Sequence, residues 1–466
     1  LGMATRRHAL VVERRGFAHA RGGTAQSAVR TALPFELTGD QARSADEIAR
    51  DMSSPRPMNR MLLGDVGTGK TAVAAIALAA VADSGSQAAM MAPTEVLARQ
   101  YAGVVGPLLD AANVPWRLLT GSTPAAERAA IHADIASGAV SVAFGTHALL
   151  TEKVTFKRLT LTIVDEQHRF GVNQRLGLRG KGEAVDMLVM TATPIPRSLA
   201  LTLYGDLDTS YLREYPAGTS REGVVTRIVP RSGRDEAYDV VHAAVASGHQ
   251  AYVVCAIVDE TDTSEATAAV REAERLRTRV FKDLRVGLLT GPMRPADKTA
   301  SMQSFRDGTI DVLVATTVVE VGVDVPNATV MIIENAERFG LAQLHQLRGR
   351  VGRGGHGGEV LLFADAKTAE SRARMDAFVT TTDGFALAEQ DLLLRGEGQL
   401  LGERQHGLPE LRIASISRDM DLIEMARADA QAIVDSDPHL TDPRHAPLLD
   451  ELRRSYGRDW EWVRAG

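Results

Sequence analysis

Arg60-Met61-Leu62-Leu63-Gly64-Asp65-Val66-Gly67-Thr68-Gly69-Lys70-Thr71 runs a short apolar strand into the pattern G-x-x-x-x-G-K-T, and the alanine-rich helix Ala72–Val81 follows at once. Strand, glycine turn and helix in that order make a phosphate cradle. Gly67, Thr68 and Gly69 let the backbone wrap closely round a polyphosphate, so that loop N–H groups and the helix N-terminus converge on it. Lys70 is placed to reach the β and γ phosphates, and the Thr71 hydroxyl to ligate Mg²⁺.

Outward from this point, strand-like runs alternate with helical stretches. Ala88–Ala92, Ser141–Gly145, Leu161–Val164 and Met187–Met190 join Arg60–Leu63 as strands. The alternation predicts βαβ units and a parallel sheet covered on both faces. Asp165-Glu166-Gln167-His168 closes one run, which puts its acids at the carboxyl end of a neighbouring strand, beside the nucleotide cleft. Asp165 is expected to hold Mg²⁺ through water and Glu166 to polarise the attacking water.

The rhythm breaks at Tyr215-Pro216-Ala217-Gly218-Thr219, turn chemistry that suits a linker. A second series of runs follows: Ala251–Val258, Arg285–Leu289, Val312–Ala315, Val330–Ile333 and Glu359–Phe363. After about Lys367 the strands stop and a charged, helical segment runs on. The fold class read from this is α/β, with two tandem P-loop-type lobes, parallel sheets flanked by helices, and a helical C-terminal segment. In Gln346-Leu347-Arg348-Gly349-Arg350-Val351-Gly352-Arg353, the spacing puts Arg350 and Arg353 on one face of a helical turn. Guanidinium groups so placed would stabilise transition-state charge if the second lobe folds against the first. A switch or small-molecule kinase needs no second sheet carrying such arginines.

Composition agrees with this class. The 466 residues suit about three domains. The 44% hydrophobic and 24% charged fractions exclude wholesale disorder. Cys255 is the only cysteine, so internal disulfides and Cys-based zinc sites are excluded; its hydrophobic strand makes it a core residue. The histidines show no metal-ligand spacing. No run approaches the ~20 apolar residues of a membrane span, and no hydrophobic block follows the first arginines, so neither a signal peptide nor a membrane partner is expected. A net charge of −6 excludes a binder that works by bulk positive charge, but leaves room for a local arginine groove on nucleic acid.

These residues resemble the superfamily 2 helicases, and more closely the RecG-type branch-migration helicases. The likeness runs from Phe35 to about Gly407. It rests on Pro34–Gln41, the phosphate loop, Ala92–Ala98, Gly145–Leu150, Asp165–Val172, Thr191–Arg197, Ala315–Pro326 and Gln346–Arg353. Asp165-Glu166-Gln167-His168-Arg169-Phe170-Gly171-Val172 narrows the field to RecG and its relative, the transcription-repair coupling factor. Asp383–Gly396, continuing through Leu400–Gln405, resembles the helical hairpin and loop by which the RecG family couples ATP hydrolysis to pulling duplex DNA.

The resemblance implies RecA-like lobes at 35–213 and 222–375. Residues 1–34 are then a basic linker at the end of an upstream region, and 376–466 the hairpin, coupling loop and tail. It implies ATP and Mg²⁺ as cofactors. Phe35 would stack on adenine and Gln41 bond its edge, with Gly322 and Asp324 near the ribose or phosphates. Thr94, Thr146 and His147 would line the DNA track, and His168 would couple the ATP site to Thr191 and Thr193. Arg395, Arg404 and Gln405 would couple hydrolysis to translocation.

The implied function is an ATP-dependent double-stranded-DNA translocase that remodels stalled forks and Holliday-type junctions in recombination and repair. The alternative is a coupling-type translocase that displaces protein from DNA. Duplex and branched DNA are the implied partners, with a single-stranded-DNA-binding protein besides. A monomer in the bacterial cytoplasm, associated with the nucleoid, is implied too. Family members also carry an N-terminal oligonucleotide-binding wedge, and no segment of that kind is expected within these residues. Two departures from the family pattern stand out. Gly291-Pro292-Met293 replaces a basic turn, and Glu397, Gln399 and Glu403 make the coupling loop more acidic.

Overall fold

The computed structural model describes residues 1–8, 15–165, 182, 184–192, 207–216, 223–256, 265–317, 325–353, 357–395 and 419–456. The chain divides into two compact units, Leu1–Glu214 with Arg395–Gly466, and Tyr215–Leu394.

In the first unit, seven strands form one parallel sheet. They are β1 (Asn59–Gly64), β2 (Gln87–Met91), β3 (Trp116–Leu119), β4 (Val142–Gly145), β5 (Leu159–Asp165), β6 (Asp186–Thr191) and β7 (Asp208–Leu212). Their order is β3-β4-β2-β5-β6-β1-β7. Helices α1 (Gly2–Arg7), α2 (Thr24–Ala32), α3 (Gly39–Met52), α4 (Lys70–Asp83), α5 (Glu95–Ala111) and α6 (Ala125–Ser137) belong to the same unit. Every residue of β2, β4, β5 and β6 is buried, as strands covered on both faces require.

Helix α4 is apolar all round, and residues Ala72 to Val81 are buried. Such a helix must be covered on every side; α2, α3 and α5 pack against it. This explains a departure from expectation. Of residues 1–34, taken above as a linker, 15–34 are folded onto the first lobe. Val29 of α2 is buried in the core with Val73 and Ile76. Both carboxylate oxygens of Asp83, which ends α4, accept N–H bonds from the first turn of α2, at Ala25 (2.8 Å) and Gln26 (3.0 Å). His19 donates its backbone N–H to Met52 O at 2.7 Å.

In the second unit, six parallel strands are ordered β10-β11-β9-β12-β13-β8. They are β8 (Val224–Val229), β9 (Gln250–Cys255), β10 (Val286–Leu289), β11 (Val312–Ala315), β12 (Ala328–Glu334) and β13 (Gly358–Phe363). Helices α7 (Arg234–Ala246), α8 (Glu265–Arg275), α9 (Pro295–Arg306), α10 (Leu341–Arg348), α11 (Ala369–Thr380) and α12 (Gly384–Arg395) accompany them. Two helices complete the described chain, α13 (Met420–Ser436) and α14 (Ala446–Tyr456). Leu1, which precedes α1, and Ala4 of α1 pack into small apolar clusters with Ala430 and Val434 of α13, Leu440, and Leu452 of α14.

Strands β3, β7 and β8 were not foreseen from the sequence. All three are sheet edges, half-exposed, so their residues do not read as an apolar run. Among the described residues no helix is long and apolar enough to cross a membrane, and no group of His, Cys, Asp and Glu is arranged to hold a metal ion.

Candidate nucleotide and nucleic-acid site

The loop between β1 and α4 turns through two left-handed glycines, Gly67 (φ 89°) and Gly69 (φ 81°). Side chains resist this region. Gly69 is the N-cap of α4, so no side chain closes the first-turn N–H groups, and the positive end of the helix dipole faces whatever enters the loop. A side chain at Gly64 would place its Cβ 2.6 Å from Thr68 Oγ1 and 2.9 Å from Leu212 Cβ. Lys70 donates from Nζ to Gly64 O (2.8 Å) and Asp65 O (3.0 Å). Thr68, fully buried, donates its hydroxyl to Asp65 O at 2.8 Å. The cradle fits a polyphosphate.

Thr71 lies half-buried in the first turn of α4, and Asp165 ends β5 with 5% exposure. Hydroxyl and carboxylate oxygens are the hard donors that Mg²⁺ takes. The carboxylate does not lie on the strand next to the loop, as expected from the sequence. β6 runs between β1 and β5, pairing with both, and puts Thr191 level with Leu63. Thr191 is 3% exposed at the end of this middle strand. One partner of Asp165 carries no signal in the sequence: the Tyr101 phenol of α5 donates to Asp165 Oδ2.

Phe35 is 39% exposed. Gln41, expected on the adenine edge, is fully buried and its amide is engaged within the protein. Its Oε1 accepts from Thr38 N–H (3.0 Å), and its Nε2 donates to Thr68 O in the phosphate loop (2.8 Å). The first contact completes a capping box at the start of α3, and the second ties that helix to the cradle. Next to it, burial raises the Asp40 carboxyl, but N–H bonds from Arg213 and Glu214 and the Arg43 guanidinium outweigh it and hold the group below the usual carboxylate range.

Thr94 and Thr146 follow the adjacent strands β2 and β4, so both lie beyond the carboxyl ends of neighbouring strands. Each hydroxyl caps the helix that follows, Thr94 accepting from Leu97 N–H (3.3 Å) and Thr146 from Ala148 N–H (3.5 Å). His147, beside them, is exposed.

In the second unit the arginine block departs from the predicted helical face. Helix α10 stops at Arg348, and Gly352 is left-handed (φ 74°), so Arg350 and Arg353 lie in the turn beyond the helix. Gly349 caps the helix, and the Gly352 N–H donates to Ala328 O (3.1 Å), pinning the turn to the start of β12. Arg350 is 7% exposed. Arg353 is half-buried and donates from Nε to Gly349 O at 2.6 Å.

Arg348, unassigned from sequence, is 1% exposed. It donates to Phe378 O (3.0 Å), Thr381 O (2.9 Å) and Thr382 O (3.1 Å), and its guanidinium lies 4.5 Å from the Phe378 ring centroid. Arg395 closes α12, its side chain outside the described residues. Glu166, His168, Thr193, Gly322, Asp324, Arg404 and Gln405 also lie outside them.

Comparison with known proteins agrees with this architecture. Residues 38–202 match the DEAD/DEAH box helicase family and 235–355 the helicase conserved C-terminal domain. Residues 381–464 match the C-terminal part of domain 3 of ATP-dependent DNA helicase RecG. The RecG proteins of Synechocystis and Bacillus subtilis are each 46% identical, over 91% and 92% of this chain. A solved structure of RecG bound to a three-way DNA junction superposes with a TM-score of 0.74 at 42% identity, covering 91% of this chain and 55% of that one.

This chain belongs to the RecG-type helicases. It spans 50% of the Synechocystis RecG and 63% of the Bacillus one. The RNA-bound helicase Mss116, at 16% identity and a TM-score of 0.56, shares the fold.

Proposed function

We propose that this RecG-type chain is an ATP-driven motor that translocates on duplex DNA and remodels stalled forks and branched junctions in recombination and repair. The observation that carries this reading is the pairing, in one chain, of a glycine-turned phosphate cradle on one parallel sheet with a pinned arginine turn on a second.

The loop amides and Lys70 would bind the triphosphate, with the ammonium turning to it from Gly64 O and Asp65 O. Thr71 and Asp165 would hold Mg²⁺, which neutralises phosphate charge. Glu166 would orient water, and Arg350 and Arg353 would stabilise the transferred charge, worth about 10³-fold or more. Phe35 would stack on adenine; Gly322 and Asp324 would lie near the ribose or phosphates. Thr94, Thr146 and His147 would line the DNA track, with His168, Thr191 and Thr193 relaying between track and nucleotide. Arg395, Arg404 and Gln405 would couple hydrolysis to movement.

The match of residues 381–464 to a RecG-specific domain favours fork remodelling over displacement of protein from DNA. A monomer in the bacterial cytoplasm, working on the nucleoid alongside a single-stranded-DNA-binding protein, completes the reading.

The test is ATPase activity with and without blunt duplex, together with displacement of a triplex third strand. Duplex should raise turnover, and Lys70→Ala should abolish it. An equal rate with and without DNA would sink the motor reading.

A further inference from the structure

Asp165 lies at the end of a buried strand, and its Oδ2 accepts the phenol proton of Tyr101 from across the sheet's helical layer. Tyr101 belongs to the second turn of α5, upstream of Pro107, and its ring packs against the apolar core that also holds Ala102 and Val105. Packing on one side of the half-buried ring restrains the hydroxyl that meets the carboxylate. A carboxylate has about four lone-pair positions, so a donor held in place on Oδ2 restricts its rotation.

We propose that Tyr101 is a positioning residue for the Mg²⁺-binding carboxylate. It acts through Asp165 and sets how much Mg²⁺ the nucleotide site requires. This rests on the Mg²⁺ role given to Asp165 above. Donors that orient a metal-binding carboxylate typically change metal affinity by about 10- to 100-fold when removed.

The experiment is fluorescent mant-ADP binding to the whole chain, titrated with Mg²⁺, for the wild type, Tyr101→Phe, Asp165→Asn and the double variant. Tyr101→Phe keeps the ring and removes only the hydroxyl. Its Mg²⁺ midpoint should rise on the order of tenfold, while its affinity for mant-ADP in EDTA stays that of the wild type. In the Asp165→Asn background the same change should add nothing. An unchanged midpoint in Tyr101→Phe overturns the proposal. So does an equal further loss in the double variant, or a matching loss of affinity in EDTA, which would mean that the phenol only supports packing. A wild type whose mant-ADP binding ignores Mg²⁺ is a different result, and removes the Asp165 assignment together with this one.

Discussion

Lys70 and Arg353 have their cationic groups on backbone oxygens of their own loops, Gly64 and Asp65 for one and Gly349 for the other. Both are therefore held at the loop they serve. If Arg353 acts on transition-state charge, Arg353→Ala should lower kcat by about 10³-fold and move the KM for ATP little; steady-state kinetics with duplex present would check it, and near-normal turnover would refute the role. His19 makes a different prediction. It is 4% exposed, 3.6 Å from Asp186, and burial drives its ring down to about 4. Asp186 is itself raised by burial, against an N–H bond from Met58. As pH falls from 6.5 towards 4, the unfolded chain takes up a proton at His19 that the folded chain refuses, so this site's contribution to stability declines, while the raised Asp186 carboxyl works the other way. The cost reaches about 2 kcal/mol at pH 5. Urea unfolding at pH 7 and pH 5 should show that His19→Gln loses less over this interval than the wild type.

At the scale of elements, the interior strands were legible because burial on both faces leaves an unbroken apolar run. β3, β7 and β8 were not, since these half-exposed edge strands read as mixed sequence, whereas the edge strand β10 stays apolar in Val286–Leu289 and was legible. The phosphate loop was legible down to its glycines. The arginine turn was not, because i, i+3 spacing carries no sign of where a helix stops; Gly349 and the left-handed Gly352 end it. Arg348 shows what replaces the helix there. Its guanidinium satisfies carbonyls at the C-terminal end of α11, which would otherwise be left without donors. Arg348→Met should destabilise the second lobe by on the order of 3 kcal/mol, because buried acceptors lose a charged partner. Chemical denaturation followed by circular dichroism measures this, and a loss under about 0.5 kcal/mol, the size of an ordinary surface change, would contradict it.

At the scale of the whole molecule, the proposed motor requires its two sheets to move with the nucleotide cycle. The chain suits a direct measurement, because Cys255 is its only cysteine and is buried, with its thiol raised far above the usual range. Val104 on α5 (54% exposed) and Val225 on β8 (56% exposed) offer labelling positions on separate units. Dyes at Val104→Cys and Val225→Cys should change their energy transfer when a non-hydrolysable ATP analogue and duplex are added together. An efficiency that never changes would count against a moving pair of lobes.

The sequence by itself determined the two α/β series, the phosphate loop with Lys70 and Thr71, the acid at position 165 and the likeness to RecG. Local order is enough for these, because a strand, a glycine turn and a helix N-terminus are set within a dozen residues. Only the tertiary structure decided that β6 separates β1 from β5, that Gln41 bonds the cradle, that Tyr101 meets Asp165, and that residues 15–34 fold onto the first lobe. Each of these joins residues distant in sequence. They meet only where a parallel sheet orders its strands and where α4, apolar all round, recruits α2 to cover it.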